Sequence, residues 1–115
     1  MFSIGFESGK IQVMDTKNML NLRVFNNHLK RINALEYANI NELYSAGDDK
    51  IIRQFDVVAN SVIHSFPNAH KDYIKCLGYL GNNHLVSGGY DNHLKIYDFR
   101  IHKQDVMIFD HQMPV

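Results

Sequence analysis

The chain has 115 residues, room for one domain. Its 45% hydrophobic and 21% charged residues fit an ordinary folded chain and exclude intrinsic disorder. Twelve Lys and Arg balance twelve Asp and Glu, which argues against a simple basic surface for nucleic acid and leaves any RNA contact to be made through a partner.

From the N-terminus, "MFSIGFESGK" lacks the basic start and long apolar core of a signal peptide. A strand is already under way near Met1, and "SGKIQVMD" and "MLNLRVFNNH" supply two more. "RINALEY" (Arg31 to Tyr37), "ELYSAG", "KIIRQFD" and "SVIHSF" follow, separated by the turn-like "ANIN", "DD" and "VVAN". Then come "YIKCLGYL", the turn "GNN", "HLVSGG", the tight turn "YDN", "HLKIYD" and "DVMIFD". Alternating runs broken by Gly, Asn and Asp clusters read as antiparallel strands in hairpins. No stretch carries a 3.6-residue amphipathic period, so the fold class is all-β. No apolar run approaches the roughly 18 residues of a membrane span. The single cysteine, Cys76, cannot form an internal disulfide, and a reducing compartment fits. Its apolar-rich run "DYIKCLGYL" reads as core, so Cys76 is expected to be a buried, inert thiol.

The strands repeat. Ser45 and Ser87, Gly47 and Gly89, Asp49 and Asp91, Ile52 and Leu94, and Asp56 and Asp98 are each 42 positions apart. Ile11, Met14 and Asp15 align with Ile52, Phe55 and Asp56 at an offset of 41. A fixed period of this size marks a repeat architecture. The expected divisions are an incomplete unit over 1–29 and complete four-stranded units over 30–70 and 71–115, about two and three-quarter copies in all.

The period, four strands per unit and the residue pair ending each third strand resemble the WD40 repeat of β-propellers. The family's Trp-Asp pair appears as Met14-Asp15, Phe55-Asp56 and Tyr97-Asp98, with no Trp anywhere. Its Gly-His pair appears as Asn27-His28, Ala69-His70 and Asp110-His111, with no Gly before any His. The resemblance implies a structural blade network of His, strand-two Ser, turn Asp and strand-three aromatic. One set is His28, Ser45, Asp49 and Phe55; the other is His70, Ser87, Asp91 and Tyr97. A carboxylate accepts from imidazole N–H, hydroxyl and backbone N–H together. Phe55 has no donor to replace the indole, so the first set is expected to be one bond short.

Ser, His and Asp together also suggest a catalytic triad, but one enzyme site per repeat is a poorer account than one structural network per blade. Catalytic residues are therefore none. Of seven histidines, His28, His70 and His111 belong to the repeat. His64, His84, His93 and His102 carry no HxH, HExxH or Cys partner, so no metal and no cofactor is expected. "SGGYDN" lacks the following Lys-Ser/Thr and helix of a phosphate loop.

Propellers close about four to eight blades. The expectation is therefore a piece of a longer protein whose remaining chain supplies the missing blades, with a ring of identical copies as the alternative. The strand four-to-one and two-to-three connections offer Lys30, Lys71, Asp72, Tyr73, Tyr90, Asn92 and His93 as candidate partner contacts. Within the WD family, "NSVIHSFPNAHKDYIKCLGYL", "LVSGGYDNHLKIYDFR" and "VMIFDHQMPV" are similar to nucleolar WD-repeat subunits of the small-subunit processome. That resemblance implies a non-enzymatic scaffold in the nucleus and nucleolus. Its partners would be other WD-repeat processome proteins, with indirect contact to pre-rRNA or snoRNA, supporting 18S rRNA maturation. "YDFR" also resembles the box of cullin-type ubiquitin-ligase substrate receptors, which would place Asp98 and Arg100 on the lower rim as partner contacts. A generic WD40 scaffold is the remaining reading.

Overall fold

In the computed structural model the described residues are 2–15, 17, 21–26, 28, 30–98 and 103–110, with 21 and 103–110 described by backbone alone. They form eleven strands and no helix. The strands are β1 (Phe2–Gly5), β2 (Ile11–Met14), β3 (Asn21–Phe25), β4 (Ile32–Tyr37), β5 (Glu42–Gly47), β6 (Ile52–Asp56), β7 (Ser61–Phe66), β8 (Ile74–Gly81), β9 (His84–Gly89), β10 (His93–Asp98) and β11 (Lys103–Asp110). They pair antiparallel in three separate sheets, β1-β2-β3, β4-β5-β6-β7 and β8-β9-β10-β11, each a simple meander. These are the blades of an incomplete propeller.

Asparagine makes many of the turns. Asn60, Asn68, Asn82, Asn83 and Asn92 all have positive φ, a conformation that Asn tolerates better than other side chains. Asn82 and Asn83, at φ 51° and 63°, make the two-residue hairpin between β8 and β9. Positive φ at both central residues matches the twist of the flanking strands.

The repeat extends to irregularities. The β4–β5 register shifts between Ile32 and Ala34, and the β8–β9 register between Ile74 and Cys76. Each leaves one extra residue on the first strand, Asn33 or Lys75. The outer strands shift too, leaving Leu22 extra on β3 and Ile63 extra on β7.

The core lies between sheets. Ile11, Val13 and Phe25 meet Ile32, Leu43, Phe55 and Val57 between the first and second blades. Tyr44, Ala46, Ile52 and Phe66 meet Ala69, Ile74, Leu85 and Tyr97 between the second and third. The Phe25–Phe55 rings, 4.5 Å apart, recur as Phe66–Tyr97 at 5.1 Å. Each such buried side chain contributes at most about 1.5–3 kcal/mol.

Cys76 is exposed, not buried. The bulge at Lys75 is the reason. In an unbroken strand Ile74 and Cys76 would share a face. The extra residue reverses the alternation, so Ile74 stays in the core between the second and third blades while Cys76 turns to the opposite face of the third blade.

Candidate functional site

Two networks join successive blades. In the first, His28 Nδ1 is 2.5 Å from Asp49 Oδ2 and His28 Nε2 is 2.5 Å from Ser45 Oγ. In the second, His70 Nδ1 is 2.9 and 3.0 Å from the two Asp91 oxygens, and its Nε2 is 2.7 Å from Ser87 Oγ. The strands dictate this. Ser45 and Ser87 lie on the buried face of the second strand of each blade, and each Asp sits in the turn that follows. Each Asp also caps its turn: Asp49 Oδ1 accepts from Ile51 N at 3.2 Å, and Asp91 Oδ1 from His93 N at 3.1 Å. Asp91 Oδ2 further accepts from Lys71 N at 2.9 Å.

Burial holds His70 below the ordinary imidazole range, although Asp91 pulls the other way. The neutral ring therefore donates Nδ1–H to Asp91 and accepts from the Ser87 hydroxyl. Burial alone would push the Asp91 carboxyl up, but hydrogen bonds from His70 and the Lys71 and His93 amides outweigh it and leave it below the usual range.

The connectivity is that of a Ser-His-Asp triad, but Ser45 and Ser87 are buried. A nucleophile must face its substrate. Here both hydroxyls point into the contact between blades, and the two sets are alike.

The aromatic members differ. Phe55 packs on Phe25 and has no polar atom to offer. Tyr97 donates its hydroxyl to the Ala69 carbonyl at 3.1 Å, on the residue before His70. Lys95, which the sequence reading did not place in the site, is also buried and donates Nζ to the same carbonyl at 2.7 Å. Its signal was the period of two: Lys95 and Tyr97 lie on one face of β10. Asn33 was missed as well. It donates to Asp48 Oδ1 at 2.7 Å and Ile74 O at 2.8 Å, linking β4 to the first strand of the next blade.

Lys30, Lys71, Asp72, Tyr73 and Tyr90 are exposed, and Asn92 and His93 are half-buried. Lys75 Nζ lies 4.8 Å from the centre of the Tyr90 ring, and Tyr90 N donates to Tyr73 O, so Tyr73, Lys75 and Tyr90 form one cluster. Asp98 does not fit a rim contact: it is 5% exposed and lies 3.7 Å from His84 Nε2. Asp98 pairs with His84 across β9 and β10, and this cover withdraws the carboxylate on which the ligase-box reading depends. Arg100, His102 and His111 lie outside the described residues. Among the described residues no group of three or more His, Cys, Asp or Glu could hold a metal ion.

Residues 60–98 match the WD domain, G-beta repeat family. The chain is 33% identical over 118 residues to the U3 small nucleolar RNA-associated protein 15 homolog of Xenopus tropicalis, covering 100% of this chain and 22% of that protein. It is also 33% identical over 101 residues to Meiotic fizzy-related protein 1 of Schizosaccharomyces pombe, covering 85% of this chain and 23% of that one. The chain thus spans less than a quarter of the length of these relatives. The solved RRP9 WD40 repeats superpose with a TM-score of 0.89 at 22% identity, covering 98% of this chain and 34% of that chain, a likeness of fold. With the repeated blades and their His-Ser-Asp contacts, these matches make the chain a member of the WD40-repeat β-propeller family.

Proposed function

We propose that this chain is a non-enzymatic scaffold segment serving the small-subunit processome in the nucleolus, where it supports pre-rRNA processing toward 18S rRNA and the small ribosomal subunit. The observation that carries this is the alignment of the whole chain with the U3 small nucleolar RNA-associated protein 15 homolog at 33% identity. In this reading the two His-Ser-Asp networks, with Phe55 and Tyr97 beside them, are structural. They hold successive blades as a rigid platform and leave the loops to make contacts. Lys30, Lys71, Asp72, Tyr73, Tyr90 and His93 are the residues proposed to meet other WD-repeat proteins of the complex, with RNA reached through them. The segments 1–29, 30–70 and 71–115 are proposed as the successive blade units.

Affinity purification of the tagged native protein at low salt, followed by mass spectrometry, tests this. Processome subunits should co-purify, and depletion should lower 18S relative to 28S rRNA. Recovery of a cullin and its adaptor, with normal 18S rRNA on depletion, would replace the proposal with a ligase role.

A further inference from the structure

At one end of the first and second blades, Leu22, Arg23, Ile40, Asn41, Val57 and Val58 line an open hollow of about 230 Å³. Its walls are two turns that hydrogen bonds hold in place. Asn39 Oδ1 accepts from Asn41 N at 2.9 Å and Glu42 N at 3.0 Å. Asn41 then ties the turns together: its side-chain oxygen accepts from Val58 N at 2.8 Å and its carbonyl from Val57 N at 2.9 Å. On these clamped turns Ile40 is 80% exposed and Val58 73% exposed. The groove is therefore formed before anything enters it.

The fold does not require apolar residues there. One repeat later, 42 positions on, Asn82 stands in the place of Ile40 and Arg100 in that of Val58; one repeat earlier, 41 positions back, Lys17 stands in the place of Val58. Two apolar side chains thus occupy one groove at positions that other copies fill with polar residues. Exposed apolar clusters of this kind mark contact sites.

Arg23 places a cation beside the groove. Its Nε donates to Val57 O at 2.9 Å, Nη1 to Leu22 O at 2.8 Å and Nη2 to Val58 O at 3.1 Å. These carbonyls fix the guanidinium but do not neutralise it, and among the described residues no carboxylate pairs with it. A held cation beside an apolar groove complements a carboxylate adjoining an apolar side chain.

We propose that this groove docks a linear peptide segment, seating one aliphatic or aromatic side chain between Ile40 and Val58 and setting a neighbouring Asp or Glu against Arg23. The hollow is smaller than the roughly 300–1,000 Å³ of small-ligand pockets, which suits a side-chain anchor. The site stands apart from the Tyr73–Tyr90 cluster and does not depend on which assembly the protein serves.

The test is binding of the purified protein to an array of hexapeptides with Leu, Ile or Phe at the third position and Asp or Glu at the fourth. Matched peptides carrying Asn or Gln at the fourth position serve as controls. Acidic peptides should be retained at least about fivefold better than their neutral counterparts. Ile40→Asn and Val58→Ser should each weaken binding at least about tenfold, with melting temperature unchanged; both lie on turns where other copies tolerate polar residues. Equal binding of neutral peptides, no binding, or binding indifferent to the two substitutions would overturn the proposal. Sedimentation supplies a further check. A wild-type dimer that Val58→Ser renders monomeric would assign the groove to a second copy of the chain and overturn the peptide reading.

Discussion

Asp91 holds His70 with both carboxylate oxygens, at 2.9 and 3.0 Å, and the two side chains are 4% and 0% exposed. The same carboxylate accepts the Lys71 and His93 amides, so one side chain pins the β7–β8 connection to the β9–β10 turn. Asp91→Ala leaves the His70 N–H and two amides without their acceptor. The expected cost is about 1–3 kcal/mol, from the penalty of leaving buried donors unmade. Urea unfolding measures it, and an unchanged midpoint would show that the carboxylate contributes no net stability.

Tyr97→Phe gives the third blade the aromatic of the second, where Phe55 stands. The Ala69 carbonyl loses one donor but keeps Lys95 Nζ at 2.7 Å, so no acceptor is orphaned. The expected loss is that of one ordinary hydrogen bond, about 0.5–1.5 kcal/mol. A much larger loss in the same unfolding experiment would show that the phenol also positions Lys95.

The strand pattern was legible because it repeats: turn clusters such as "DD" and "YDN", Ser and Asp at a constant offset, and alternation within each run reached the same meanders the structure shows. Alternation failed where the register slips. Nothing in "DYIKCLGYL" announces the extra residue at Lys75, so Cys76 was assigned to the wrong face. Nothing in "YDFR" shows that Asp98, on the face opposite buried Tyr97, is covered too, beside His84. Lys95 was passed over because a charged residue is expected outside, although its spacing from buried Tyr97 put it inside. Ile40 and Val58 become informative only against the polar residues of the other copies, and only once their turns are seen to meet.

Gly47 sits where a side chain cannot. A Cβ built there lies 1.9 Å from the Arg31 carbonyl oxygen, a backbone atom that cannot swing aside. Gly47→Ala should therefore force β4 from β5 and cost about 1–3 kcal/mol or more. Gly78→Ala is the control: its Cβ meets only Val86 Cγ1, at 3.2 Å. Comparable melting temperatures for the two variants would contradict the close approach at Gly47.

Cys76 should react with a maleimide in the folded 115-residue chain, because the bulge turns its thiol away from the core between the second and third blades. Labelling followed by intact mass should reach completion without denaturant, and urea should not be needed to expose the site. Protection until unfolding would return Cys76 to a covered face.

Acid should weaken the third blade in two steps. Burial lowers the His70 value from 6.5, so as pH falls below about 6.5 the unfolded chain takes up a proton that the native ring does not. Stability drops there and stops dropping from this cause below the native value. Asp91 also lies below its ordinary value of 3.8, because its hydrogen bonds outweigh burial. Its contribution is present above the unfolded value and is lost as pH falls through about 4 toward the native one. Melting temperature against pH for wild type, His70→Asn and Asp91→Asn separates the two. The His70 variant should be flatter between roughly pH 7 and 5.5, and the Asp91 variant flatter below about pH 4. A wild type no steeper than His70→Asn in the upper window would mean that the folded imidazole takes up its proton as readily as the unfolded chain does. On that protonation the Ser87 hydroxyl accepts from Nε2 instead of donating to it.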